Sequence, residues 1–226
     1  MNIITKGLCK FIPKHISNKA IIGWMQFFRK LQRHGNMYAL RHADDGADLH
    51  LIGFIENQKE LDGLYLGLAS IADCGCEVIA CHNALNGLGL RSTSFAKLTA
   101  MFEKDGIIHS GRWGVSPVAI ADVLKTFTDQ VTMHIAENKD LGSICEEIEA
   151  WKYPKKKALI VTYYNNKENL AEEIHTICIT RGPNGYVGHN VYLNGSILGP
   201  FVRLDELLTS INDGNIKIIS YIEAVR

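Results

Sequence analysis

The sequence contains few prolines, no excess of charge of either sign and no long hydrophobic run. Only five of its 226 residues are proline while 46% are hydrophobic, so the chain can bury one sizeable core and general disorder is excluded. The 24 basic residues balance the 24 acidic ones, so no global field attracts nucleic acid or an anionic membrane. Because no run approaches the roughly 20 apolar residues of a bilayer span, we expect no stable membrane insertion.

Cysteine is scarce as well. Six cysteines in a chain of this length are too few for a disulfide scaffold, and their clustering is not a paired framework. The start of the chain lacks the charged, apolar and small-residue succession of a secretory signal. These features predict reduced thiols in a soluble cytoplasmic protein.

Apolar residues between Asn18 and Gly35 recur at intervals of three and four, which predicts an amphipathic helix. We expect residues 1–50 to form a helical extension ahead of a main domain, residues 51–226. The basic side of this helix favours a solvated helix end over contact with a membrane surface. Packing, autoinhibition and membrane contact all stay open as roles for the extension.

The rest of the chain is predicted to place helices first and strands second, with one short strand candidate at 49–54. Helices are expected over 76–87, 92–104, 117–127, 141–151 and 204–212, and strands over 131–136, 158–164, 174–180, 186–193 and 216–224. Helices gathered ahead of a largely antiparallel sheet indicate an α+β fold and not a doubly wound one.

The predicted helix at 76–87 begins within an unusual segment that carries three cysteines and a histidine. Cys76 falls in its first turn, where unpaired N–H groups and the positive end of the helix dipole favour an anion. We therefore expect its thiol to ionise more easily than a free one. Such a thiolate is a nucleophile when a base and an oxyanion site are near. On helix position alone, an ordinary buried cysteine is an equally good interpretation.

The same cysteines, together with His82, are of the residue types that zinc prefers. Structural zinc sites usually pair two short Cys or His units, whereas Cys76 and Cys81 lie more than a helical turn apart and no second unit follows. We therefore expect no metal, and no other cofactor, at this cluster.

A candidate base, His175, opens a strand that is expected to form a β-hairpin with the strand after it, with Asn184–Gly185 as the turn signal. With a two-residue loop, paired positions sum to an odd number, which puts Asn190 and Tyr192 on the face of His175. His189 then faces the other side. Asn190 is thus predicted to orient the His175 ring, although a satisfied structural histidine is the alternative.

The stretch Gly75-Cys76-Glu77-Val78-Ile79-Ala80, followed by Leu85 and Gly89, resembles the nucleophile helix of papain-like cysteine peptidases. It is most similar to the bacterial branch that includes double-glycine leader peptidases and their stand-alone relatives. In that branch a Gly-Cys pair opens the helix, a loop such as 111–117 leads into a later helix, a histidine begins a strand, and an Asp or Asn follows a hairpin. The resemblance covers roughly residues 55–225.

The resemblance implies a papain-like fold, with a helical part followed by an antiparallel sheet. It also implies a thiol hydrolase that cleaves an amide bond of a peptide or protein substrate through an acyl-enzyme. Cys76 would be the nucleophile, His175 the base and later the acid, and Asn190 the residue that fixes the imidazole. Two alternatives share this fold: a non-catalytic module that binds peptide, and an acyltransferase that uses the same Cys/His pair.

Two positions depart from the family pattern. Many members carry a glutamine about six residues before the cysteine, for the oxyanion hole, but here that position is Ser70. Gln58 or Asn57 would have to replace it from upstream. Glu77 stands where the leader peptidases usually have glycine, and a carboxylate beside a thiolate raises the thiol pKa.

Four aromatic residues of the sequence are candidates either for contact with substrate or for the core. They are Trp113, Tyr163, Tyr164 and Tyr192.

Overall fold

The computed structural model describes residues 17–32, 53–90, 94–137, 139–149, 157–167, 174–191 and 197–226. Most of the strand candidate at 49–54 lies outside these ranges, and its described residues, 53 and 54, are not in a strand. Within the described ranges, no helix has the length and apolar character that crossing a membrane requires. The five described cysteines are all free thiols.

The first part combines helices with a short ribbon of two strands. Helix α1 (Asn18–Gln32) is followed by a 3₁₀ turn (Gln58–Leu61), strands β1 (Tyr65–Leu66) and β2 (Ala69–Ser70), and helices α2 (Ile71–Cys74), α3 (Cys76–Leu88), α4 (Phe95–Asp105) and α5 (Pro117–Leu124). The predicted helices at α1, α3, α4 and α5 are confirmed, with α5 ending three residues early. The ribbon and α2 were not predicted.

Helix α3 lies at the centre of the molecule and is buried on nearly every side. It ends at Gly89, whose φ of 64° is the left-handed conformation that glycine adopts without steric cost. Two of its buried polar residues bind main-chain groups of the segment before β1. Asn83 exchanges two such bonds with Ile55, and His82 contacts the Gly53 carbonyl.

The second part is one antiparallel sheet of six strands in the order β3-β8-β4-β5-β6-β7. The strands are β3 (Val131–Ile135), β4 (Lys157–Tyr164), β5 (Ile174–Gly182), β6 (Gly185–His189), β7 (Leu198–Phe201) and β8 (Lys217–Val225), with helix α6 (Leu141–Glu149) after β3 and helix α7 (Leu204–Ser210) after β7. The α+β prediction is confirmed. Strand β7 was missed because Gly199 and Pro200 inside it are residues that argue against a strand.

Both faces of the sheet are covered. Residues such as Ile160 and Cys178 pack against α3, α4 and α5 on one face. Their neighbours Val161 and Ile177 point to the opposite face, where α6 and α7 cover them. The alternation follows from the period of two along a strand. This alternation produces two hydrophobic cores, one on each face of the sheet. The candidate site lies where α3 begins beside the start of β5.

Helix α1 packs against this body through polar and apolar contacts. The Asn18 amide donates to the carbonyls of Ala136 at 2.6 Å and Ile218 at 3.1 Å. The buried Arg29 guanidinium contacts the Asp122 carboxylate at 2.9 Å. The apolar side of α1 covers the end of the sheet. Of the three roles considered for residues 1–50, packing is therefore the one that this helix displays.

Candidate active site

Cys76 is the first residue of α3 and is buried. Gly75 separates α3 from α2, and a Cβ at this position would lie 2.5 Å from the Ile71 side chain, so the break between the helices requires glycine. The main-chain N–H of Thr176 lies near enough to the Cys76 sulfur to lower the pKa of the thiol. Since Thr176 follows His175, this contact brings the candidate nucleophile to the residue next to the candidate base.

The thiol of Cys76 is not activated for ionisation. Burial raises its pKa well above the ordinary value, and the negative charge of Glu77 raises the pKa further. The Thr176 N–H acts in the opposite direction but is outweighed. The expectation of an easily ionised thiol is therefore wrong, because the loss of water around the sulfur and the adjacent carboxylate oppose the favourable position at the helix start.

Glu77 is a buried carboxyl in contact with Cys76. The Cys76 thiol donates to Oε2 of Glu77 across 3.3 Å, and the Val115 N–H also donates to this carboxyl. Burial raises the pKa of Glu77 to about 7. Gly114, with φ of 67°, lets the loop before α5 approach, since a Cβ there would lie 2.6 Å from Oε1 of Glu77. The loop thus encloses the carboxyl that contacts the thiol.

His175 lies near the start of β5 with its ring buried. Its Nε2 is 2.7 Å from the main-chain oxygen of Asn190, and its ring meets Tyr163 edge to face at 5.9 Å. Because a carbonyl oxygen only accepts, Nε2 carries the ring proton and Nδ1 keeps a lone pair. Burial lowers the pKa of His175, so the imidazole is neutral near pH 7.

Asn190 contacts His175 differently from the prediction. Strands β5 and β6 pair with odd sums, Cys178 opposite His189, as a two-residue loop requires. Asn190 follows β6 with φ of 56°, a left-handed conformation that asparagine tolerates. Its main-chain carbonyl, and not its side chain, binds the His175 ring. The side chain pairs instead with Gln58: Oδ1 accepts from the Gln58 N–H at 3.2 Å and Nδ2 donates to Gln58 Oε1 at 3.3 Å.

The segment upstream of α2 folds back to the site through Gln58. This residue is buried, and its Nε2 donates to the Ala72 carbonyl at 3.2 Å. Ser70, at the position where many papain-like peptidases carry glutamine, accepts a bond from the Ala72 N–H and caps α2. Asn57 caps the 3₁₀ turn instead. Of the two upstream residues considered for the oxyanion hole, Gln58 is the one in contact with a candidate site residue.

The structure therefore brings the three predicted residues together at one end of the sheet, but in two pairs. Cys76 is joined to Thr176 and Glu77, while His175 is joined to Asn190. Among the hydrogen bonds of the described residues, none links the Cys76 sulfur directly to the His175 ring.

The candidate aromatic residues have different surroundings. Tyr163 and Tyr164 are fully buried and belong to the core, so they do not line a substrate region. Trp113 is half-buried and stacks on Trp24 of α1, with ring centroids 5.1 Å apart. Tyr192 lies outside the described residues.

Sequence reasoning missed Glu56, which lies beside the site. Its Oε1 is 2.6 Å from Nδ1 of His189, and its Oε2 accepts from the Asn190 N–H at 3.1 Å. The other ring nitrogen of His189 contacts the Thr180 hydroxyl at 2.8 Å. No local pattern marks Glu56, because these partners follow it by 133 and 134 residues.

Cys81 and His82, which were considered as zinc ligands together with Cys76, have different environments. Cys81 is fully buried, and burial raises the pKa of its thiol. The His82 ring contacts the Gly53 carbonyl at 3.0 Å. Within the described part of the chain, no three His, Cys, Asp or Glu side chains converge as they would around a metal ion.

Comparisons with protein-family models, with curated proteins and with solved structures found no match to this chain. The fold and the site define an α+β protein in which a buried cysteine at a helix start lies beside a strand that carries a buried histidine.

Proposed function

We propose that the protein is a papain-like thiol hydrolase that cleaves an amide bond of a peptide through an acyl-enzyme. One arrangement carries the proposal: the Cys76 sulfur lies against the N–H of Thr176, and the ring of the preceding residue, His175, is bound by Asn190. A nucleophile, a base and an orienting group in this relationship are the elements of thiol catalysis.

In the proposed first step, the Cys76 sulfur forms a bond to the amide carbon while the thiol proton passes to Nδ1 of His175. The carbonyl π pair moves to the oxygen, where the main-chain N–H of Cys76 at the helix start stabilises the charge. Gln58 is the proposed second donor, through the amide proton that does not bind Ala72. When the oxygen pair returns, the carbon–nitrogen bond breaks and His175 gives the proton to the departing amine.

Water completes the cycle in the second step. His175 accepts a proton from water as the water oxygen attacks the thioester carbon. Collapse of this intermediate breaks the carbon–sulfur bond, releases the carboxylic acid and returns the proton to the Cys76 sulfur. Nε2 keeps its proton and donates it in a hydrogen bond to the Asn190 carbonyl throughout, so the same nitrogen, Nδ1, serves both steps.

The test combines a peptide mixture, analysed by mass spectrometry, with an electrophilic peptide probe for thiols. We expect Cys76→Ala to abolish cleavage and labelling, and His175→Ala to lower both by two or more orders of magnitude. Cys74→Ala is the matched control, since this neighbouring thiol is more exposed, and it should retain activity. A Cys76→Ala variant that cleaves the peptide mixture as fast as native protein would refute the proposal.

One observation favours a second candidate, a non-catalytic papain-like module that binds peptide. The Cys76 thiol is bonded to Glu77 and not to His175. In such a module Cys76→Ala keeps peptide binding, and native protein and variant are equally unreactive towards the probe. Peptide binding measured by calorimetry on both proteins separates the two candidates.

A further inference from the structure

Residues 53–58, which we name the strap, connect the nucleophile helix to the end of β6. On the helix side, the Asn83 side chain exchanges two bonds of 2.8 Å with the main chain of Ile55. The Asn86 amide donates to the Gly53 carbonyl at 2.6 Å. The strap is therefore fixed to α3 by hydrogen bonds from helix side chains to its main chain.

On its other side the strap contacts His189, the last residue of β6, and Asn190, which follows it. The two carboxylate oxygens of Glu56 bind different donors, Nδ1 of His189 and the main-chain N–H of Asn190. The His189 ring is stacked on Phe54, with centroids 3.9 Å apart, so the imidazole itself is well located. Glu56 thus links Asn190 to a strap that is already bound to α3.

We propose that Glu56 is a positioning residue for His175, a role that rests on the proposed function of the Cys76 and His175 pair. Glu56 acts through Asn190. Binding the N–H of Asn190 maintains the φ of 56° at this residue, which sets the direction of its carbonyl. That carbonyl binds Nε2 of His175 and leaves Nδ1 as the base.

The chemistry of the carboxylate explains why glutamate serves this position. Two donors converge on one side chain, and a carboxylate supplies one accepting oxygen to each. Glutamine has one accepting oxygen, so Glu56→Gln leaves either His189 or Asn190 without its acceptor while the size of the side chain is kept. A part-buried donor that loses its partner moves to find water.

The experiment measures alkylation of Cys76 by iodoacetamide across a pH series, in a Cys74→Ser background, with tandem mass spectrometry to assign the site. We expect Glu56→Gln to lower the rate about tenfold, towards the rate of His175→Ala, because misplacing a reacting group by about 1 Å lowers a rate by up to about 100-fold. Glu60→Gln is the matched control, because the Glu60 carboxylate is exposed and accepts a hydrogen bond from the Asn57 side chain. Its rate should equal the native one.

The state of the His175 ring gives a readout that a purely structural role would not change. Nitrogen-15 spectra, assigned with His175→Gln, should show the Nε2-protonated tautomer in native protein and a mixture of tautomers in Glu56→Gln. Thermal unfolding of each variant confirms that it is folded. If Glu56→Gln keeps both the alkylation profile and the native tautomer, the positioning role is wrong.

The two proposals fail in distinguishable ways. If His175→Ala alkylates as fast as native protein, the proposed function fails, and the tautomer in Glu56→Gln alone then decides the role of Glu56. If His175→Ala is slow but Glu56→Gln is as fast as native protein, the function stands and the positioning role is overturned.

Discussion

The Cys76 thiol donates to Oε2 of the residue beside it, Glu77, across 3.3 Å. A negative charge at this distance stabilises the thiol relative to the thiolate, so Glu77 opposes formation of the nucleophile. Because burial raises the pKa of Glu77 to about 7, the charge that opposes ionisation forms fully only at higher pH. The candidate nucleophile therefore rests as a thiol.

Replacing Glu77 by glutamine should make Cys76 more reactive. The substitution removes the charge while keeping an acceptor for the thiol, so the thiol pKa falls. The thiolate fraction at any pH below the thiol pKa therefore rises. The rate of Cys76 alkylation against pH measures the change, with Glu60→Gln as the control. An unchanged profile would mean that burial alone determines the thiol pKa.

Glu77 should also make the native protein less stable as pH rises. Its pKa is near 4.5 when unfolded and about 7 when folded, so the folded state binds the proton more tightly. The contribution is fully present below pH 4.5 and is lost as pH rises through 7. Complete loss amounts to roughly 3 kcal/mol. Urea unfolding at pH 5 and pH 8 should show a smaller difference in Glu77→Gln than in native protein.

Gly114→Ala should destabilise the protein through both conformation and contact. The residue has φ of 67°, and its new Cβ would lie 2.6 Å from Oε1 of Glu77. Gly63→Ala is a control for conformation alone, since Gly63 has φ of 91° and open space around it. We expect Gly63→Ala to cost about 1–2 kcal/mol and Gly114→Ala to cost more. Equal losses in urea unfolding would show that the loop moves away from Glu77 without penalty.

Breaking a buried ion pair in the sheet should lower the free energy of unfolding more than breaking an exposed one. The Glu223 side chain is fully buried, and its Oε2 lies 3.1 Å from the Lys157 ammonium. Lys157→Met leaves this carboxylate without its cation and should cost about 3 kcal/mol. The exposed pair of Lys59 and Asp73 has a similar separation, 3.0 Å, and Lys59→Met should cost less than about 1 kcal/mol.

Glu223→Gln added to Lys157→Met tests the reason for that loss. The neutral amide no longer requires a cation, so the double variant should recover part of the stability. If Lys157→Met and Lys59→Met lose the same free energy of unfolding, water reaches Glu223 and the pair is not buried in solution.

The parts of the fold that were predicted correctly carry local signals. Helix α3 lies between Gly75 and Gly89, and β5 and β6 form the predicted hairpin, although its two-residue loop is Pro183–Asn184 and not Asn184–Gly185. These features depend on residues a few positions apart. The position of Cys76 at a helix start and of His175 at a strand start followed from them.

The electrostatics of the site were not predictable in the same way. The helix start predicted a thiol that ionises easily, but burial and Glu77 reverse the direction. Burial depends on contacts between residues that are far apart in the sequence, so no short segment predicts it. The role of Asn190 was only partly predictable, since register gives the face of a strand residue but not whether its carbonyl or its amide makes the contact.

The strand order has a consequence for how the chain assembles. Strand β8 lies between β3 and β4, although the chain reaches it after every other strand of the sheet. In a nascent chain that has emerged only as far as α7, β3 and β4 are not joined, because β8, which pairs with both, is still missing. Closure of the sheet must therefore wait for β8, and a chain that stops before Lys217 would leave the sheet divided where its interior should be.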